Sequence, residues 1–346
     1  MSVFDLSTGI RSRRFRTHTA PLLVLIGLLV LVPPLAQLLD DPFLIKVFTR
    51  VIVFGIAAVG LNLILGFGDL ISLMQAGFFG IGGYTVAILA FHDINVEPLL
   101  GWSLTLTGTT NLAISLPLGA LAAAVFAALA GLVCLRTSGA YFIMITLAFN
   151  QMLYYFFVAL EKYGGEDGLQ ILGNLHLVGF DVVKRVPFYY LCLIVLVVIL
   201  VMLDRLVESR FGMAVRALAQ NERRAIALGI PPLRYKLLAF VISGAIGGLA
   251  GGLLAASQQF VSPADMAWVR SGELVVMVVL GGLATVWGPV AGAAVFLILE
   301  LVLSSFTLNW QLPFGLLIIA MIMFLRGGLA DLWLFVVRRL RVGAGS

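Results

Sequence analysis

Long apolar runs separated by short polar segments are the main pattern along this chain. A helix needs about 20 predominantly apolar residues to cross the roughly 30 Å of hydrocarbon in a bilayer. The sequence therefore predicts an all-α, polytopic integral membrane protein with about ten transmembrane helices. The runs are 21–39, 45–66, 70–90, 112–134, 139–160, 187–206, 236–257, 272–289, 290–308 and 312–330.

Two pairs of neighbouring runs are joined so tightly that each pair predicts either two spans or one broken, re-entrant helix. The first pair is 45–66 with 70–90, and the second is 272–289 with 290–308. Transporter sites lie where helices are interrupted at matching places in two halves of a chain. Glycines at the joints therefore indicate a candidate translocation pathway, although small residues equally serve close helix packing. They are Gly66, Gly68, Gly77, Gly80, Gly82, Gly83, Gly281, Gly282, Gly288 and Gly292.

Composition agrees with a membrane protein, because 61% of the residues are apolar, only 11% are charged and the mean hydropathy is +1.10. Soluble domains are about a quarter charged. Cys134 and Cys192 fall inside apolar runs and are interpreted as packing residues. The three histidines lack metal-ligand spacing, so no metal site is predicted. No cofactor is expected either.

The distribution of Lys and Arg predicts the orientation. With both termini in the cytoplasm, 16 of the 22 basic residues lie inside and 6 outside, as the positive-inside rule requires. The predicted domains are a basic cytoplasmic N-terminus (1–20), a transmembrane domain (21–335) and a cytoplasmic C-terminus (336–346). The first run is interpreted as a retained helix, since no A-x-A site follows it. This orientation explains the pI of 9.4 without a nucleic-acid partner.

The one long polar and basic stretch is a loop at 208–236. Asn221 is a good N-cap, and Glu222 suits the positive end of a helix dipole. Gly229 and the following Pro231-Pro232 predict the end of a short helix. Such short helices are marginal alone and gain stability by docking into a partner's groove. An ordinary cytoplasmic loop is the alternative.

Four stretches carry a resemblance to a known family. The segment 221–253, NERRAIALGIPPLRYKLLAFVISGAIGGLAGGL, resembles the cytoplasmic coupling region of ABC-importer permeases for branched-chain amino acids. Three more match in the same order, at 60–84, 139–149 and 280–293. The resemblance covers about residues 45–330 and is closest to the LivM-like subunit. The chain departs from the family pattern at Gln75, where a His is common, and at Asp69, which leaves the exact cargo open.

The resemblance implies the ABC importer permease fold and a location in the bacterial inner membrane. It also implies a second, similar permease subunit, two cytoplasmic ATPase subunits and an extracytoplasmic substrate-binding protein. The chain has no G-x-x-x-x-G-K-[ST] phosphate loop, so ATP is expected on the partners and the chain is not expected to be an enzyme. The expected ATPase-coupling residues are Arg216, Asn221, Glu222, Ala225, Leu228 and Gly229.

Polar residues deep in the apolar runs usually face a protein interior. As candidates for the translocation pathway they compete with a simpler role as hydrogen-bonding links between helices. Glu300 needs a partner or a raised pKa, and the sequence assigns it no role. In the outer loop, Glu166 and Asp167 are candidates for docking the binding protein, or else part of an exposed turn. The pathway candidates are Asn62, Gln75, Thr146, Asn150 and Gln151.

The function predicted from the sequence is therefore a permease subunit that imports leucine, isoleucine and valine. Urea or other amino acids are alternative cargoes within the same family. A stand-alone secondary transporter is an alternative from another class, but it would need paired membrane carboxylates, and Glu300 is nearly alone at depth. A membrane enzyme is disfavoured because no nucleophile–base pair appears.

Overall fold

The computed structural model describes residues 3–38, 40–94, 108–171, 175–177, 180–181, 185–306, 309, 311–324 and 328–330. Side chains are described from residue 21 onward, so the basic side chains of the predicted N-terminus (1–20) lie outside this set. The predicted C-terminus (336–346) also lies outside the described residues.

The described chain is almost entirely helical. Three 3-10 turns occupy Glu161–Tyr163, Gly165–Asp167 and Pro263–Met266, and the strands are β1 Leu169–Gln170, β2 His176–Leu177, β3 Phe180–Asp181 and β4 Phe260–Val261. The helices are α1 Val3–Leu38, α2 Pro42–Leu65, α3 Gln75–Ile94, α4 Leu112–Cys134, α5 Ala140–Val158, α6 Arg185–Glu208, α7 Arg210–Gln220, α8 Glu222–Ala227, α9 Pro232–Gln258, α10 Trp268–Gly281, α11 Gly288–Phe306 and α12 Gln311–Phe324.

Each of the apolar runs contains a helix. Among the described residues, eight helices are long and apolar enough to cross a membrane: α1 from Pro21 onward, α2 to α6, α9 and α11. The helices α10 and α12 have 14 residues each, which is about 21 Å of length. The predicted all-α, multi-pass architecture is confirmed. The run 272–289 forms the shorter helix α10, which ends at Gly281, and the run 312–330 is covered only in part by the described residues.

α2 is the central helix of the bundle. In its most apolar window 83% of the residues are buried, compared with 28% for α5 and 33% for α4. A helix that is apolar on all sides is stable only when other helices surround it. α3, α6, α9, α10 and α11 all pack against α2. The outward faces of α4 and α6 expose aliphatic side chains such as Leu129 and Ile194, as expected for surfaces in contact with lipid.

α3 and α9 approach each other closely because glycines face carbonyl groups across the interface. A Cβ on Gly82 would clash with the carbonyl of Gly248, and a Cβ on Gly251 would clash with the carbonyl of Phe79. Small residues are the usual means of close helix packing in membranes. At these positions the structure supports a role of glycine in close helix packing.

Candidate functional site

The polar loop at 208–236 folds as a helical hairpin between α6 and α9. α7 begins at Arg210, where Ser209 caps it by accepting a hydrogen bond from the Gly212 N–H at 3.5 Å. α8 begins as predicted. The Oδ1 of Asn221 accepts from the Arg224 N–H at 3.0 Å. We refer to α7 and α8 together as the hairpin.

Gly229 ends α8 in a left-handed conformation. Its φ is 82°, and its N–H donates to the Ile226 carbonyl at 2.9 Å. No atom lies within 4 Å of the position that a Cβ would occupy. Glycine is therefore required here by the backbone angle and not by close packing.

Polar contacts fix the hairpin to the membrane helices. Arg216 donates from Nη2 to the Val207 carbonyl at 2.9 Å, which binds α7 to the last turn of α6. Lys236 on α9 forms an ion pair with Glu222 at 2.9 Å. Ala225 on α8 is also buried, unlike its neighbours Arg224 and Ile226. Arg216 is thus an anchoring residue, although its side chain is also exposed.

Two apolar side chains of the hairpin remain uncovered. Leu228 is 74% exposed and Ile226 is 52% exposed. Both lie in a segment that also carries the exposed cations Arg223 and Arg224. Neighbouring exposed apolar side chains flanked by cations, at the polar end of a membrane bundle, favour a site that contacts another protein.

The chain between α2 and α3 turns back into the bundle. α2 ends at Leu65, yet the Nε2 of Gln75 donates to the carbonyl of Ala57 at 3.3 Å. Ala57 lies eight residues before the end of α2, which is about 12 Å along the helix axis. Residues 66–74 therefore run back along α2 without regular helix, and α3 begins inside the bundle. Asp69 has a φ of 53° in this segment, a conformation that Asp tolerates better than most residues.

Asn62 joins this first joint to the second one. Its Nδ2 donates to the Thr285 carbonyl at 2.7 Å, and its Oδ1 accepts from the Ala284 N–H at 3.3 Å. Ala284 has a φ of 58° and lies between α10 and α11. A Cβ on Gly66 would approach the Ala284 nitrogen to 2.5 Å. The two interrupted regions predicted from the sequence are therefore in direct contact.

Gln75 links three helices at the level where α3 begins. Its Nε2 also donates to the Ser243 carbonyl at 3.3 Å, and its Oε1 accepts from the Ser243 hydroxyl at 3.1 Å. Ser271 on α10 accepts from the Ala76 N–H at 3.0 Å, which satisfies one of the free donors of the first turn of α3. The sequence did not single out Ser243 or Ser271, because serine in an apolar run has no local signal that marks its partner.

The remaining pathway candidates lie on α5. Thr146 accepts from the Leu73 N–H at 3.3 Å, and Asn150 donates to the Met266 carbonyl at 2.8 Å. The Oδ1 of Asn150 and the Oε1 of Gln151 are buried without a hydrogen-bond donor among the described residues. Asn62, Gln75, Thr146 and Asn150 therefore adjoin the joints or the segments that pack on them, and Gln151 follows Asn150 on α5.

Near the opposite end of α2, two arginines share one aromatic ring. The guanidinium carbons of Arg50 and Arg270 each lie 5.5 Å from the centroid of the Phe54 ring. Phe54 also stacks on Phe79 with 5.6 Å between ring centroids. Cations at this distance from an aromatic face are stabilised by its quadrupole.

Three carboxylates balance these arginines. Arg270 pairs with Glu273 at 2.7 Å and with Asp265 at 3.6 Å. Arg50 pairs with Glu300 at 3.7 Å, which gives that carboxylate the partner that the sequence left open. Burial raises the pKa of Asp265, and the nearby arginines offset this only in part. Asp265 is therefore more readily neutralised than an ordinary carboxylate.

Glu166 and Asp167 form an exposed acidic turn, and their candidate role in docking the binding protein stays a prediction. The turn is held in place because β1 pairs with β4, with Leu169 opposite Val261. Gly168 has a φ of 86° next to that pairing. The acidic turn is thus fixed against the end of α9 that lies farthest from the hairpin.

These features define a class: a multi-pass membrane protein with two interrupted helix joints in mutual contact and a hairpin exposed at one end. The chain matches the family described as "Branched-chain amino acid transport system / permease component" over residues 43–326. It belongs to that family. The sequence-based recognition of this family is confirmed.

Individual relatives agree with this assignment. The "High-affinity branched-chain amino acid transport system permease protein LivM" of Escherichia coli is 30% identical over 309 residues, covering 82% of this chain and 69% of the relative. The protein of the same name from Salmonella typhimurium is 29% identical with the same coverage. A "Probable branched-chain amino acid transport permease protein LivH" of Methanocaldococcus jannaschii is 31% identical over 106 residues, covering 29% of this chain and 31% of the relative. No solved structure matches the chain significantly.

Proposed function

We propose that this chain is the membrane permease subunit of an ATP-driven importer of branched-chain amino acids, namely leucine, isoleucine and valine. The observation that carries the proposal is the hairpin. It is anchored to α6 and α9 through Arg216 and Glu222, while Ile226 and Leu228 remain uncovered. Family membership supplies the transport context.

The hairpin suits a surface that receives force from a soluble ATPase. A docking helix must present apolar anchors, and Ile226 and Leu228 provide them. It must also contact the membrane helices that it moves, and the Glu222–Lys236 ion pair at 2.9 Å links it to α9. Because the sequence has no phosphate loop, ATP is assigned to two companion ATPase subunits.

We assign the translocation pathway to the region around the contacting joints. Asn62, Gln75, Thr146 and Asn150 hold the interrupted segments in position through the hydrogen bonds described above. Gln151 is the candidate for direct contact with cargo, since its Oε1 is available for an ammonium donor. A lining with few polar groups binds cargo weakly, which suits a permease that is loaded by a high-affinity soluble partner.

The exposed face of α5 is assigned to the second permease subunit. Its side chains are aromatic residues and methionines, whereas the lipid-facing sides of α4 and α6 expose mainly leucine, isoleucine and valine. Tyr, Phe and Met are enriched at the centres of protein interfaces. The exposed residues are Tyr141, Met144, Met152, Tyr155 and Phe156.

The substrate-binding protein is assigned to the acidic turn at Glu166 and Asp167, which faces away from the hairpin. The proposed orientation puts the hairpin and both termini in the cytoplasm and the acidic turn outside the bacterial inner membrane. It rests on the 16 to 6 distribution of basic residues.

Reconstitution in vesicles tests the proposal. This chain is assembled with the companion permease and ATPases, and uptake of leucine, isoleucine, valine and urea is compared with and without ATP and the binding protein. We expect saturable uptake of the three amino acids that requires both. Uptake of urea in place of the three amino acids would show that urea is the cargo. Import by this chain alone would indicate a secondary transporter.

A further inference from the structure

A cavity of about 300 Å³ lies between α2, α6 and the last turn of α9. Its walls combine two basic side chains, Lys46 and Arg185, with the apolar Ile45 and Phe188 and with the hydroxyl of Ser257. Nothing in the transport function described above uses this cavity.

The cavity lies at the membrane face opposite the hairpin. α6 begins at Arg185 and ends at Glu208, immediately before α7. Its 24 residues span about 36 Å, which is close to the thickness of a bilayer. Beyond Arg185 on the same helix, Ile194 and Val198 are exposed to lipid. The cavity therefore opens where lipid headgroups meet the bundle.

Lys46 and Arg185 differ from the other basic residues at this end. Arg50 and Arg270 are balanced by carboxylates, and Lys162 also has an interaction partner. Among the described residues, neither Lys46 nor Arg185 has an ion-pair or hydrogen-bond partner, and both line the same cavity. No carboxylate lines that cavity within the described part of the chain.

Two cations that share a cavity without a counter-ion repel each other, and an anion between them removes that repulsion. The apolar walls at Ile45 and Phe188 favour an anion attached to a hydrocarbon body. Basic pockets between transmembrane helices on the cytoplasmic side of membranes bind lipid head groups by this attraction, and the same charge attraction acts on anionic lipids of the opposite face. We propose that this cavity binds the phosphate group of a membrane phospholipid, with Lys46 and Arg185 as its charge partners.

The test is photolabelling of the purified full-length protein in phosphatidylglycerol vesicles that contain a photoactivatable phosphatidylglycerol. We expect labelling of the peptide that contains Phe188. The double variant Lys46→Gln/Arg185→Gln should reduce this labelling about 10-fold or more. The conservative variant Lys46→Arg/Arg185→Lys should retain it. Lys162→Gln, which removes one positive charge at the same face but outside the cavity, should also retain it and is the control matched in charge to Arg185→Gln alone.

Competition with inorganic phosphate distinguishes the two possible sources of the anion, a lipid headgroup and a free phosphate ion. Excess inorganic phosphate should leave the labelling unchanged if the lipid is the ligand. If phosphate abolishes labelling, the cavity binds a free anion and the lipid proposal is wrong. Unchanged labelling in Lys46→Gln/Arg185→Gln would likewise overturn it. Arg185→Gln alone, at the exposed first residue of α6, replaces the double variant if that variant does not fold, and it should lower labelling several-fold.

Discussion

The Nδ2 of Asn62 donates a hydrogen bond of 2.7 Å to the carbonyl of Thr285, a residue 223 positions away in the sequence. This contact joins the end of α2 to the segment between α10 and α11. It places the two interrupted regions of the chain against each other. A pathway built from both joints therefore depends on one buried amide.

Asn62→Leu should loosen the contact between the joints. The substitution leaves the Thr285 carbonyl and the Ala284 N–H without their partner, which we expect to cost about 1 to 3 kcal/mol of folding stability. Thermal unfolding of the purified protein measures this loss. Ser115→Ala is the matched control, because the Ser115 hydroxyl is buried with no hydrogen-bond partner among the described residues. A melting temperature for Asn62→Leu equal to that of the control would contradict the prediction.

The double variant Ile226→Ser/Leu228→Ser should uncouple ATP hydrolysis from uptake. Both side chains are exposed, so the variant is expected to fold and insert normally while losing the apolar anchors for the ATPase. The measurement is leucine uptake per ATP hydrolysed in vesicles that contain the full assembly, with an expected fall of about 10-fold or more. Leu233→Ser, an exposed leucine outside α8, is the control and should leave the ratio unchanged.

Gly229→Pro should also uncouple transport, since proline fixes φ near −65° whereas Gly229 has a φ of 82°. Gly229→Ala should have a smaller effect and lower the folding stability by about 1 to 2 kcal/mol, because the alanine adds only backbone strain. Gly272→Ala in α10 is the control. Like Gly229 it has open space at the Cβ position, but its φ is not positive, so alanine should be tolerated. An equal loss of folding stability in Gly229→Ala and Gly272→Ala would contradict the role of the positive φ at Gly229.

Arg270→Gln should destabilise the end of the bundle opposite the hairpin. It leaves Glu273 and Asp265 without their cation in a partly buried site, and we expect a loss of about 2 kcal/mol. Thermal unfolding is again the measurement, with the exposed Arg234→Gln as control. The double variant Arg270→Gln/Glu273→Gln should recover part of the loss. No recovery would indicate that the contact with Phe54 is the larger contribution.

Features set by local sequence could be predicted well. The apolar runs gave the helices, because a span in lipid must satisfy its own backbone hydrogen bonds. Asn221 and Gly229 gave both ends of α8, because capping and a positive φ depend on residues only a few positions apart. The family motifs identified the class of protein because each motif is a short local segment and the motifs follow one another in a fixed order along the chain.

Features that depend on distant residues could not be predicted. The start of α3 was expected near residue 70, but its position at Gln75 is stabilised by bonds to Ala57 and Ser243. The partner of Glu300 is Arg50, 250 positions away, and no pattern in the sequence connects them. For the same reason the polar residues of the apolar runs were recognised as buried, but the atoms that they bind were not.

The glycine contacts between α3 and α9 have a mechanical consequence. α9 extends about 40 Å from the hairpin to the opposite face, and its glycines press directly on the backbone of α3. At these contacts the two backbones meet directly, so the helices have little room to slide past each other. In the function proposed above, α9 is therefore the element that connects the hairpin to the Gln75 joint, because both ends of this connection lie on one continuous helix.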